Sequence, residues 1–267
     1  MSTSIWLCEN ITLLEFATTS SPARVKVVGW MKEAKGKQRD NTAIARKFHA
    51  FIERSVFPCL GAKAALNMGA YELQCYAELG DSMASTYLAS DLHRFINSSI
   101  RRRSDFATFG AIFSRPVEMT ELEFEQRLWR TLQQLNRIDA EKFDWDPTVG
   151  RKPECANFAF SFGGHAFYIV GMHQGSSRLA RQFPLPALVF NAHDQFRKLR
   201  AEGKWERMKA SIRNRDAVLQ GEWNPMLDDF GERSEARQYS GRVVEESWSP
   251  SFRAAQMGQA GGCPFAP

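Results

Sequence analysis

Between Asn157 and Phe190 the apolar residues stop recurring at helical spacing and begin to alternate. Asn157–Phe162 reads as a strand, Gly163-Gly164 as a hairpin turn, and Ala166–Met172 as the returning strand. Pro184 and Pro186 precede a third strand, Ala187–Phe190. A small sheet of this kind has two faces to cover, and the flanking sequence supplies helices for them. Thr42–Arg54 reads as a helix, with Ile44, Phe48 and Phe51 at spacings of four and three. An alanine-rich helix starts after Phe57-Pro58-Cys59, and Leu88–Ile100 is helical too. Ser104–Phe113 is ambiguous, its aromatic character suiting a short strand. Thr120–Leu135 is the most regular segment: Thr120 caps it, Glu121 and Glu123 fill the first turn, and Phe124, Leu128, Trp129, Leu132 and Leu135 form one stripe. Downstream, Ala192–Gly203 ends at a glycine and Trp205–Leu219 stops before Gly221. Helices, a small mainly antiparallel sheet, and helices again make a single-domain α+β fold. The expected organisation is an N-terminal arm over 1–40, a domain over 41–250 and a flexible Gly-, Ala- and Gln-rich tail over 251–267.

Composition excludes several classes. With 43% hydrophobic and 24% charged residues over 267 positions, the bulk of the chain can bury a core and is not disordered. No apolar run approaches the roughly 18 residues of a membrane helix, and the N-terminus has no basic segment of the signal-peptide kind. Cys8, Cys59, Cys75, Cys155 and Cys263 are odd in number and contain no CxxC pair. Five free thiols in a reducing cytosol are expected, with neither a disulfide framework nor a structural zinc site. The net charge of +5 permits nucleic-acid binding, but the basic residues are dispersed, and Glu202 and Glu206 interrupt the run Arg197–Arg215. That run reads as a solvated helix face, without any nucleic-acid-binding motif. Motifs for a dinucleotide, a P-loop, a nucleophile elbow and a zincin are all missing from the sequence.

What remains is a short list of reactive side chains. His173 leaves the end of a strand into the small-residue loop Gln174-Gly175-Ser176-Ser177-Arg178, which suits a pocket floor. Neutral imidazole there is either a metal ligand or a side chain bonded to a backbone carbonyl. His193 follows Ala187–Phe190, with Asn191 as the expected N-cap. Cys59 precedes a helix start, where the helix dipole favours a thiolate able to ligate haem; its plainer reading is a small buried hydrophobe. Residues 223–242 are dense in Asn, Asp, Glu and Tyr. Asp228, Asp229, Glu232 and Glu235 offer carboxylates to a cation, or they cap and solvate a loop.

Several blocks in order carry a resemblance. They are Phe57-Pro58-Cys59-Leu60-Gly61-Ala62-Lys63, then Asn157-Phe158 through Gly171-Met172-His173 with Ser176-Ser177-Arg178, and Val189-Phe190-Asn191 with His193, Gln195 and Phe196. Asn224-Pro225-Met226-Leu227 follows, and Gly231-Glu232 with Ser234-Glu235-Ala236 and Gln238-Tyr239-Ser240-Gly241-Arg242 completes the set. Over about residues 45–250 the chain resembles the YqcI/YcgG family. Members of that family include haem-dependent N-hydroxylases of guanidino groups, among them one that converts L-arginine to Nω-hydroxy-L-arginine in D-cycloserine biosynthesis. The resemblance therefore implies a cytoplasmic haem b monooxygenase of antibiotic-type biosynthesis. It would use dioxygen or peroxide and a separate electron donor, with no nucleic-acid or membrane partner. A haem-binding sensor or carrier without turnover is the alternative. On this reading His173 is the expected axial ligand, ahead of His193, the candidate catalytic residue, and Cys59. Arg178 and Arg181 are expected to pair with haem propionates, and Glu232 and Glu235 to hold the guanidinium.

Overall fold

Along residues 35–255, which the computed structural model describes, the chain runs α1 (Lys35–Glu53), α2 (Leu60–Asn67), β1 (Tyr71–Glu78), α3 (Ser82–Ile96), α4 (Ser99–Arg103), β2 (Thr108–Arg115), α5 (Glu121–Asp139), β3 (Phe160–Phe162), β4 (His165–Met172), β5 (Ala187–Ala192), α6 (His193–Ala201) and α7 (Trp205–Gln220). Short 3-10 turns lie at Leu179–Arg181 and Glu235–Gln238. The five strands form one open sheet in the order β1-β2-β5-β4-β3. Only β1 and β2 are parallel; the other three pairings are antiparallel. This is the expected α+β architecture with one addition, since β1 has no counterpart among the strands read from sequence.

Local chemistry sets the element ends. The Thr120 hydroxyl accepts the Glu123 N–H while the Glu123 carboxylate accepts the Thr120 N–H, a capping box that starts α5. Gly163 and Gly164 both sit at positive φ in the turn that returns β3 into β4, where a side chain would be strained. Ala192, not Asn191, is the N-cap of α6, because β5 runs two residues further than its apolar run suggests.

Strand parity decides which helices cover which face. On one face Phe109, Ala111 and Phe113 of β2, Phe167 and Ile169 of β4, and Leu188 and Phe190 of β5 pack with Leu88, Leu92 and Phe95 of α3 and Phe124, Leu128 and Leu132 of α5. Fully burying each such side chain stabilises the fold by about 1.5–3 kcal/mol. Gly171 faces α5 as well, where a Cβ would lie 2.6 Å from Phe124 and 2.7 Å from the Tyr239 carbonyl. On the opposite face Ile112, Ala187, Val189 and Met172 pack with Phe48, Phe51 and Ile52 of α1, Leu66 of α2, and Phe183 and Leu185.

The C-terminal segment is part of this core. Phe252 is buried against Trp129, Trp145, Phe158 and Phe160. Gln133 exchanges two hydrogen bonds with the Arg253 backbone, and Asn136 accepts the Ala255 N–H. The segment read as a tail is thus anchored over 251–255, because Phe252 completes an aromatic cluster. Most of the segment read as an arm, 1–34, and positions 256–267 lie outside the described residues, with Cys8 and Cys263 among them. Cys59, Cys75 and Cys155 are not in disulfides. No helix among the described residues is long and apolar enough to cross a membrane.

Candidate functional site

One rung of the sheet forms the floor of a cavity of about 220 Å³. Asn191 of β5 lies in register between Thr108 of β2 and Tyr168 of β4. The Thr108 hydroxyl donates to the Asn191 side chain at 3.1 Å. By the period-2 rule Val170 joins Tyr168 on this side, away from α5. The walls come from three places distant in sequence: the start of α2 (Cys59, Gly61, Ala62), the inner faces of α6 and α7 (Phe196, Leu199, Trp205, Met208, Ile212), and the segment Leu227–Gln238. The surround is mostly apolar.

Cys59 is the N-cap of α2, and its sulfur accepts the Ala62 N–H at 3.4 Å. Burial pushes the thiol pKa up, while the Ala62 and Gly61 amides and the Arg181 charge pull the other way. The sulfur lines the cavity as a buried thiol whose net shift is upward, with hydrogen-bond donors and a guanidinium beside it that only partly offset burial. Arg181 is fixed behind it, donating to the carbonyls of Gly171 and Tyr239 at 3.2 and 3.0 Å.

His193, the first residue of α6, presents Nε2 to Glu235 Oε2 at 2.9 Å. The other Glu235 oxygen accepts the Tyr239 hydroxyl at 2.6 Å. Tyr239 is fully buried, and its oxygen also accepts the Phe160 N–H at 3.1 Å. Sheet, phenol, carboxylate and imidazole thus form one buried chain ending at the cavity. The buried carboxylate beside Tyr239 adds to burial in raising that phenol well above its ordinary pKa, so it stays a donor.

Charge gathers at the mouth. Arg200, Lys209, Arg213 and Arg233 line it, with Asp228 and Asp229. Asp229 is held by Lys209 at 2.6 Å and Arg213 at 3.1 Å, and the hydrogen bond from Lys209 lowers its pKa. Among the described residues no group of three or more His, Cys, Asp or Glu side chains is placed to hold a metal ion. A metal in this cavity would have one or two protein ligands.

The cavity thus brings together Cys59, His193, Glu235, Asp228 and Asp229 of the residues expected from sequence, with Arg181 behind them. Three others lie elsewhere. Glu232 is exposed and accepts the Asp229 N–H, so it caps the loop. Arg178 is buried in an ion pair with Asp216 that fastens α7. His173 lies past the end of β4 on the parity of Phe167, Ile169 and Gly171, so it turns to α5 and stacks on Phe124 at 4.3 Å between ring centroids. It is 0% exposed, and neither ring nitrogen has a hydrogen-bond partner among the described residues. Sequence reasoning gave Tyr168 no role, read Asn191 as a cap and Gln238 as part of a resemblance block, and assigned neither them nor the four cations to a cavity. Strand alternation was the one signal that pointed to Tyr168.

The placement of His173 has a measurable consequence. Burial lowers its pKa to about 4, with Glu121 raising and Arg181 lowering it more weakly. An unfolded histidine titrates near 6.5. Between those values the unfolded chain takes up a proton that the folded one refuses, so stability is lost as pH falls through that window. The His173 contribution between pH 7 and pH 5 is about 2 kcal/mol. His173→Phe, which keeps the stacking, is expected to flatten the acid side of the stability curve by that amount in urea unfolding. An unchanged slope would assign it to other groups.

A model of the YqcI/YcgG family matches residues 48–253. No curated protein and no solved structure matches the chain.

Proposed function

Because the chain belongs to the YqcI/YcgG family, we propose that it is a haem-dependent monooxygenase that hydroxylates a guanidino nitrogen, with L-arginine as the substrate. The observation that carries this reading is Cys59: a sulfur at a helix start, facing an apolar cavity whose mouth is lined by four cations.

The donor set fits haem b. Cys59 would hold the iron through sulfur, since Nε2 of His193, the other ligand candidate in the cavity, is engaged by Glu235. His173 has no share in the cavity and is not the ligand of this reading. Arg200, Lys209, Arg213 and Arg233 take the place of Arg178 and Arg181 as partners for the propionates. The apolar side chains of α6 and α7 exclude water. When bound, haem supplies the activation of dioxygen or peroxide.

With dioxygen, one oxygen atom enters the guanidine, the other leaves as water, and two electrons and two protons are consumed. The electrons come from a separate donor; with peroxide none are needed. The protons are the task of His193, whose Nε2 shares one with Glu235 while Tyr239 fixes the carboxylate. A reducing cytosol suits an unpaired thiol.

The test is the absorption spectrum of haem-loaded protein, ferric and ferrous–CO, followed by turnover of L-arginine with a reductant or peroxide. A Soret band with a thiolate-type CO complex, and formation of Nω-hydroxy-L-arginine, are the expected results. Haem uptake with no product in either assay would leave a sensor or carrier. Absence of a Soret band would remove the reading.

A further inference from the structure

Three carboxylates line the cavity, and their surroundings differ. Asp229 is neutralised by Lys209 and Arg213. Glu235 gives one oxygen to His193 and the other to Tyr239. Among the described residues the Asp228 carboxylate is paired with the Arg233 Nε at 3.8 Å, and Arg233 turns its Nη1 to Glu246 at 3.1 Å. Among the described residues the Asp228 carboxylate takes part in no hydrogen bond shorter than that approach.

Its backbone, by contrast, is fixed. The Asp228 N–H donates to the Met226 carbonyl at 3.2 Å, and Met226 is itself buried, with its sulfur accepting the Val244 N–H. The Asp228 carbonyl accepts from the Gln238 side chain at 3.5 Å, and Gln238 accepts the Tyr168 hydroxyl at 2.8 Å. Tyr168 in turn stands among the charges that act on Cys59 and Arg181. Asp228, Gln238 and Tyr168 therefore form a polar strip along an otherwise apolar wall. The carboxylate is at one end and the Cys59 sulfur is beside the other. A partly exposed cavity carboxylate on a fixed backbone, with its cation as distant as 3.8 Å, is open to a planar cationic ligand that brings its own donors.

We propose that Asp228 is the specificity residue of the cavity and anchors the guanidinium of the substrate. This rests on the reading of the chain as a guanidine N-hydroxylase. It replaces Glu232 and Glu235 in that role: Glu232 is outside the cavity, and Glu235 holds His193.

The probes are L-arginine, 4-guanidinobutyrate, which keeps the guanidinium but lacks the α-amino group, and L-citrulline, which keeps the shape without the charge. Each is titrated into haem-loaded native protein, Asp228→Asn and the control Glu202→Gln by calorimetry and by the Soret band. The asparagine preserves shape and one acceptor oxygen. Asp228→Asn is expected to weaken both guanidinium compounds by about tenfold or more, to leave citrulline unchanged, and to retain native haem content. The preference for arginine over citrulline should shrink by the same factor. Arginine affinity within twofold of native in a haem-replete variant would overturn the assignment. A loss confined to arginine, with 4-guanidinobutyrate unaffected, would overturn it too, by giving Asp228 the ammonium. If the native protein binds neither guanidinium compound, the substrate class falls and the anchor with it; if Asp228→Asn alone is indifferent, the anchor falls and the function stands.

Discussion

Cys59→Ser should abolish the thiolate signature of the ferrous–CO complex and deplete bound haem, whereas His173→Ala should leave both in place. The contrast follows from parity and reach. Cys59 caps α2 with its sulfur toward the cavity, while His173 is on the α5 side, against Phe124. Serine keeps an acceptor for the Ala62 N–H, so the helix start survives and the change isolates the sulfur. Its hydroxyl is a poor iron ligand beside a thiolate. The measurement is a haem-to-protein ratio with ferric and ferrous–CO spectra of both variants. A Cys59→Ser protein with native spectrum and full haem would return the ligand to a histidine. Circular dichroism accompanies the spectra, so that a misfolded variant is not counted.

The second large effect is one of stability. Glu125, buried in α5, accepts from four donors: the Ser240 hydroxyl, Arg242 Nε and Nη2, and the indole N–H of Trp248, at 3.0, 3.1, 3.2 and 2.9 Å. This one carboxylate ties Ser240, Arg242 and Trp248 of the C-terminal segment to α5. Glu125→Ala leaves a hydroxyl and an indole without this acceptor, and the Arg242 guanidinium, among the described residues, with only Glu245 and the Val243 carbonyl. Breaking such a pair by removing one partner costs about 3–5 kcal/mol. For a domain of this size the melting temperature should fall by roughly 10 °C. Glu125→Gln keeps one acceptor oxygen and should fall between. Thermal and urea unfolding of apoprotein measure this independently of cofactor. A loss under 1 kcal/mol for the alanine variant would mean that Trp248 and Phe252 hold the segment by packing alone.

Helix α5 was legible because its cap, first-turn acids and apolar stripe lie within twenty consecutive residues. The β3–β4 hairpin was legible through alternation and two glycines. β1 was not read, although Tyr71-Glu72-Leu73-Gln74-Cys75 alternates; its polar set, Glu72 and Gln74, is buried on one face with Tyr76, so both faces are covered and neither shows the usual polar side. Within the site, Cys59, His193 and Glu235 could be singled out by residue type and neighbours. The side that His173 faces was not legible, because only the register of β4 tells which face it meets, and one residue of offset reverses the answer. The cations at the mouth were hidden for another reason. Arg200, Lys209 and Arg213 belong to a helix pair whose basic residues read as solvated, and only the packing of α6 and α7 over the sheet turns some of them inward.

The last strand in sequence is the middle strand in space. β1 and β2 make one ribbon, β3 and β4 another, and the two share no hydrogen bonds until β5 enters between β2 and β4. A chain emerging from the ribosome as far as Pro186 therefore holds two unjoined ribbons, each with an open edge of the kind that recruits stray strands. The rung Thr108–Asn191–Tyr168 does not exist before that closure, and the α7 wall is synthesised later still. The cavity is consequently complete only once Ala187–Ala192 has docked and α7 has packed over it, and until then the facing edges of β2 and β4 stay open to stray strands.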